Sequence, residues 1–147
     1  MENTNYSVAT SGDLPAIQAL LADCHLLTDG IEMLIDHCIV ATVDSRIVGT
    51  VALEQCGRLA LFRSLAVAAD CRGLSIGRNL SAKMVSHARM AGVEALYLLT
   101  TDAERYFETL GFRHIQRNEA PAEIQRTSQF RSLCPKSAVC MARDIRG

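Results

Sequence analysis

The stretch Cys71-Arg72-Gly73-Leu74-Ser75-Ile76-Gly77, CRGLSIG, decides how this chain is read. An apolar run, LALFRSLAV at 59–67, precedes it, and RNLSAKMVSHARMAG at 78–92 follows. The first reads as a strand. The second reads as a helix with Ile76, Leu80, Met84, His87 and Ala88 near one stripe and Gly92 as its stop. CRGLSIG is then the turn by which a strand hands over to a helix N-terminus. Such a turn offers unpaired backbone N–H groups and the positive end of the helix dipole, which suits a phosphate. Gly73 and Gly77 put no side chain between ligand and backbone, and Arg72 and Arg78 add cationic partners. The loop is not a Walker loop, since no Gly-Lys-Ser/Thr follows, and its glycine spacing is not the dinucleotide fingerprint. On the loop alone, a tight turn that binds nothing explains the glycines equally well.

Working outward, a first strand is expected near Tyr6–Ala9. SGDLPAIQALLADCHLL (11–27) reads as a helix capped by Ser11 or Asp13, with Pro15 in its first turn and Ile17, Leu20, Leu21 and Cys24 on one face. The stretch 31–37 is ambiguous. CIVATVD (38–44) and IVGTVALE (47–54) form a hairpin, and 58–67 continues it as a meander. ALYLLT (95–100) reads as a buried strand, 102–110 as a short helix ended by Gly111, 112–117 as a strand, 120–130 as a further helix and 137–145 as a last strand. The order strand 58–67, helix 76–91, strand 95–100 is a β-α-β unit, so these two strands should be parallel neighbours. The class is α+β, or mixed α/β, as a single domain over 1–147 with helices on both faces of one mixed, mostly antiparallel sheet of about six or seven strands.

Composition narrows the function classes. The 147 residues are 49% hydrophobic and 21% charged, with a net charge of −1. That is one soluble domain with no electrostatic case for nucleic acid. No apolar run is long enough to span a bilayer, and the N-terminus lacks the basic and apolar regions of a signal peptide. The six cysteines, Cys24, Cys38, Cys56, Cys71, Cys134 and Cys140, have no Cys-x-x-Cys pair for a metal. They are expected to be reduced thiols in a cytoplasmic protein without a metal.

Two segments carry a resemblance. LAVAADCRGLSIGRNL (65–80) resembles motif A of the GCN5-related N-acetyltransferases, the GNAT family. Leu65 and Val67 end the strand, Arg72 takes the Gln/Arg place, Ser75 falls where a central glycine is usual, and Gly77 takes the last place. AERYFETLGF (103–112) resembles motif B of the same family. Spacing and element order agree, so the resemblance covers nearly the whole chain. It implies acetyl-CoA as co-substrate and direct attack of an amine on the thioester, in a cleft where two parallel strands splay apart. The amides of Arg72, Gly73, Leu74, Ser75, Ile76, Gly77 and Arg78 would hold the pyrophosphate. The backbone of Leu65, Ala66 and Val67 would pair with the pantetheine arm, with the Leu65 N–H polarising the thioester carbonyl. Phe107 would also touch the cofactor. A homodimer is compatible with the family.

The chain departs from the pattern twice. Ser75 has a Cβ, so the loop must keep a negative φ there or carry strain. Phe107 stands where many members place the tyrosine that protonates the leaving thiolate. Its neighbour Tyr106 points about 100° away on a helix, so either Tyr106 or water serves as acid. Glu54, at a strand end, is a candidate base. Arg63, two residues before Leu65 in an apolar strand, could bind a substrate carboxylate, or a salt bridge could hold it in place. FRSLCPKSAVCMARDI (130–145), with LYLLTT, resembles the arsenic-resistance-associated and glutamate N-acetyltransferases of the family. This implies a small-molecule amine substrate, an amino acid or an analogue of one. A catalytically weak acyl-CoA-binding module and a protein-amine acetyltransferase are the alternatives.

Overall fold

The computed structural model describes residues 3–146, less the side chains of 132 and 133. Seven strands form one sheet in the order β1-β2-β3-β4-β5-β7-β6. They are β1 (Asn5–Val8), β2 (Cys38–Val43), β3 (Arg46–Cys56), β4 (Leu59–Val67), β5 (Ala95–Thr100), β6 (Arg113–Ile115) and β7 (Val139–Asp144). The helices are α1 (Leu14–Asp23), α2 (Ile76–Met90), α3 (Glu104–Thr109) and α4 (Ala122–Gln125). The expected α+β class holds. β1–β2, β2–β3, β5–β7 and β6–β7 are antiparallel. β4 and β5 are parallel, as the β-α-β reading requires. Their register joins Leu59 to Ala95, Ala60 to Leu96 and Leu61 to Tyr97, and β4 runs on to Val67.

The contacts divide into two compact units. The first comprises the chain up to Glu54 and Arg63–His87. Ile17 and Leu21 of α1, Leu53 of β3 and Ile76, Leu80 and Met84 of α2 are fully buried there. Asp44 and Ser45 turn β2 into β3 with φ of 49° and 65°, the left-handed pair that suits the twist of a two-residue hairpin. α1 is shorter than the expected 11–27. Ser11–Asp13 is a separate 3-10 turn, and the helix stops at Asp23. The stop is a left-handed closure at His25, φ 59°, with Leu26 N–H donating to Leu21 O and His25 N–H to Ala22 O. A histidine does this here in place of glycine, so the sequence carried no stop signal. The ambiguous 31–37 is a 3-10 helix.

The second unit comprises Gln55–Phe62 and the chain from Ala88 onward. Leu61, Ala120, Ile124, Phe130 and Cys140 form its core. The helix expected over 120–130 is broken. α4 covers four residues, and Gln129–Leu133 is a π-helical turn. One side chain takes a carbonyl that a continuous helix would use: the Thr127 hydroxyl donates to Ile124 O at 2.7 Å. Beyond the break, Arg117 donates to Phe130 O at 2.9 Å and Pro135 O at 2.8 Å. Phe107 packs edge to face on Phe62 and on Phe112, and Phe62 and Phe112 are tilted against each other, with ring centroids 5.3–6.1 Å apart.

Candidate functional site

The turn after β4 is built from its backbone. Ala68 N–H donates to Val48 O on β3, and Cys71 N–H to Ala68 O closes a 3-10 turn with Cys71 buried. Arg72 and Gly73 follow on the surface, Gly73 at φ 82°. A Cβ at Gly73 would meet nothing within 4 Å, so it is the backbone angle and not space that calls for glycine. Ser75 is also left-handed, at φ 65°. The chain thus takes the strained alternative at this position rather than a negative φ. For a residue with a Cβ that costs roughly 1–2 kcal/mol. Asn79 N–H to Ser75 O, 3.0 Å, is the first helical bond. The N–H groups of Ile76, Gly77 and Arg78 are therefore those of the first turn of α2, which a helix leaves without intrahelical acceptors. Two glycine-type angles, a helix start and Arg72 and Arg78 together form a cradle of a kind that suits an anion.

Several residues that the sequence reading passed over set this cradle. Gly49 of β3 lets α2 lie close. A Cβ there would stand 2.8 Å from Leu80 Cδ1 and 3.1 Å from Ile76 Cγ2. Arg46, beside the β2–β3 turn, grips Asp70 with two bonds of 2.9 and 3.1 Å, and this pairing holds the Asp70 carboxyl below its usual range. Arg72 donates through Nε to Val67 O at 3.2 Å and through Nη2 to Cys24 Sγ at 3.6 Å. Gly49 reads in the sequence as an ordinary strand residue, and the Arg46–Asp70 and Arg72–Cys24 pairs are too distant in sequence to show.

On β4, the two-residue alternation that put Arg63 and Leu65 on one face does not run through. Ser64 between them is left-handed, φ 60°, the backbone mark of a bulge. Arg63 is only 6% exposed. It donates through Nη1 to Glu54 Oε1 at 3.0 Å and through Nη2 to Asp29 O at 2.8 Å. The candidate base and the candidate carboxylate binder are thus joined to each other. The partner of Arg63 lies on the adjoining strand, not on a helix. Leu65 and Val67 are half-buried and Ala66 is buried. Cys38 is buried, which pushes its thiol up to about 11 although Arg63 acts in the opposite sense.

In the second unit, Phe107 is inserted into the aromatic cluster. Tyr106 is 43% exposed, with its ring 5.7 Å from that of Phe107. His87 of α2 meets His37, Nε2 to Nδ1 at 3.0 Å, and burial with the neighbouring imidazole lowers its pKa. Among the described residues no group of three or more His, Cys, Asp or Glu could hold a metal, and no helix is long and apolar enough to cross a membrane.

The sequence profile of the acetyltransferase (GNAT) domain matches residues 35–114, more than half of the chain. An uncharacterized N-acetyltransferase of Chlorobaculum tepidum is 29% identical over 119 residues, 78% of this chain and 74% of that one. An amino-acid acetyltransferase of Neisseria meningitidis is 27% identical over 92% of this chain, which spans about a third of that protein (33%). N-acetylglutamate synthase of Neisseria gonorrhoeae, in complex with coenzyme A and N-acetyl-glutamate, superposes with a TM-score of 0.86. It is 23% identical, and the match covers 98% of this chain and 35% of that one. A GNAT acetyltransferase of Staphylococcus aureus superposes with a TM-score of 0.81 at 17% identity, covering 98% of this chain and all of that one (100%). The profile match spans β2 to α3 and so includes β4, the cradle and α2: the chain belongs to the GNAT acetyltransferase family.

Proposed function

We propose that this protein transfers the acetyl group of acetyl-CoA to the amine of a small molecule, an amino acid or an analogue of one. The observation that carries the reading is the cradle after β4, with Gly73 and Ser75 both left-handed and α2 starting directly behind them. The amides of Arg72–Arg78 hold the pyrophosphate, and the backbone of Leu65–Val67 holds the pantetheine arm. The amine nitrogen attacks the thioester carbon, whose oxygen is polarised by the Leu65 N–H. The C–N bond forms, the C–S bond breaks, and the ammonium proton passes to a base. Glu54 is the base, and Tyr106 or water returns a proton to the thiolate. Phe107 packs against the cofactor.

The amino-acid acceptor is supported by the relatives named for amino-acid and glutamate acetylation. Arg63 is already held by Glu54 and the Asp29 carbonyl, so it would take the acceptor's carboxylate only by exchanging one of these partners. The test is free-thiol release from acetyl-CoA with a panel of amino acids, including glutamate and an arsenic-containing amino acid. Turnover on one of them, lost in Glu54→Gln and Arg63→Met, supports the reading. Turnover that survives both changes removes these residues from it.

The aromatic packing of Phe107 favours a second reading, a module that binds acyl-CoA and turns it over weakly. CoA binding without product from any acceptor would favour it. Tyr106→Phe separates the two acids: a large loss of turnover assigns the proton to the tyrosine, and none assigns it to water.

A further inference from the structure

The peptide joining Val67 to Ala68 fixes a direction. Its N–H donates to Val48 O on β3 at 2.7 Å. In a trans peptide the carbonyl points the opposite way, so Val67 C=O is turned away from β3. That is the edge a pantetheine arm would use if laid along β4 as an added strand. Two side chains already meet this oxygen, Arg72 through Nε at 3.2 Å and Cys24 through Sγ at 3.6 Å. They also meet each other, Arg72 Nη2 to Cys24 Sγ at 3.6 Å. Cys24 is itself held in place. It is the last residue before the His25 closure, and its N–H donates to Leu20 O and Leu21 O.

We propose that Cys24 is a positioning residue for Arg72, and that the two, docked on the Val67 carbonyl, hold the guanidinium ready for the pyrophosphate. The inference rests on the acetyl-CoA reading above. Among the described residues Arg72 uses Nε and Nη2 for Val67 and Cys24, which leaves Nη1 for a phosphate oxygen. An untethered surface arginine loses its rotamer freedom only when the ligand arrives, and that loss is charged against affinity. Here the ordering is done beforehand by the C-terminus of α1, 48 residues away in sequence.

The experiment is calorimetric titration of CoA into the wild type, Cys24→Val, Cys24→Ser, Arg72→Gln and the Cys24→Val/Arg72→Gln double variant. Thermal unfolding of each confirms that it is folded. Removing the charged ligand in Arg72→Gln should weaken CoA by about tenfold or more, and losing its tether in Cys24→Val by about threefold to tenfold. Cys24→Ser, which keeps a donor and an acceptor, should lose less than Cys24→Val. In the Arg72→Gln background, Cys24→Val should cost nothing further, because there is no guanidinium left to position. A change at Cys24 that merely disturbed packing would cost the same factor in both backgrounds. That result, or an unchanged Kd in Cys24→Val, overturns the proposal and leaves the acetyl-CoA reading standing. An unchanged Kd in Arg72→Gln also overturns the proposal and leaves the pyrophosphate to the loop amides, whereas no CoA binding by the wild type would overturn the acetyl-CoA reading itself.

Discussion

Gly49→Ala adds one methyl group where α2 lies on β3, and the structure sets its size. The new Cβ would lie 2.8 Å from Leu80 Cδ1, 3.1 Å from Ile76 Cγ2 and 3.4 Å from Ala41 Cβ. Carbon atoms rest at about 3.5–4.0 Å, so something must move by several tenths of an ångström or more. A leucine end can turn aside when it has room. Leu80 is 0% exposed and Ile76 2%, so neither has. Overpacking of this kind costs about 1–3 kcal/mol. At about 4 °C per kcal/mol for a domain of this size, the melting temperature should fall by roughly 4–12 °C. The cause is checked with a double-mutant cycle in urea. Leu80→Ala alone removes Cδ1 and costs about 2–5 kcal/mol. In its background the alanine at 49 has space, so the double variant should be more stable than the sum predicts by about 1 kcal/mol or more. A Gly49→Ala variant within 0.5 kcal/mol of wild type, or a strictly additive cycle, would refute the reasoning.

Other perturbations act on the loop, on the His37–His87 contact and on the buried thiols. Ser75→Gly relieves the left-handed serine and should leave stability unchanged or raise it by up to about 1 kcal/mol, read from the urea midpoint; a loss of more than 1 kcal/mol would mean that the hydroxyl holds the loop. His87 has a depressed pKa in the fold, so its contribution is present above the ordinary histidine range and fades as the pH falls through that range, because the unfolded chain takes up the proton first. Unfolding free energy should therefore drop between about pH 7 and 5, and His87→Gln should flatten that slope. Burial pushes the Cys38 and Cys140 thiols up to about 11. Both should resist iodoacetamide at pH 8 in the folded protein, read peptide by peptide, and their share of stability should be lost as the pH rises from about 9 to 11.

The sequence was most legible where local chemistry and tertiary packing agree. Alternating and continuous apolar runs placed all seven strands, and the Ala95–Thr100 limits of β5 were read without error. Gly92 and Gly111 end α2 and α3 because glycine takes the left-handed closure without strain. Where another residue does glycine's work, the signal disappears: His25 stops α1, Ser64 bends β4 and Ser75 shapes the cradle, all left-handed. The break in 120–130 comes with the Thr127 hydroxyl turned back onto the Ile124 carbonyl, a choice that the apolar pattern of the segment does not announce. In the candidate site, the loop was visible from its glycines and arginines. The Glu54–Arg63 pairing was not, since the two residues lie on different strands and no local pattern sets the register of β3 against β4. The same holds for Gly49, which is recognisable as a packing glycine only once α2 lies on it.

The central claim is that the turn from Arg72 to Arg78 holds the pyrophosphate of acetyl-CoA. The measurement that meets it most directly is an amide-resolved NMR titration with CoA, repeated with inorganic pyrophosphate as competitor. The account predicts that the largest shifts fall on the amides of Gly73–Arg78 and on Leu65 and Val67, and that pyrophosphate reproduces the first group but not the second. No shifts up to millimolar CoA, or shifts centred elsewhere on the chain, would contradict it.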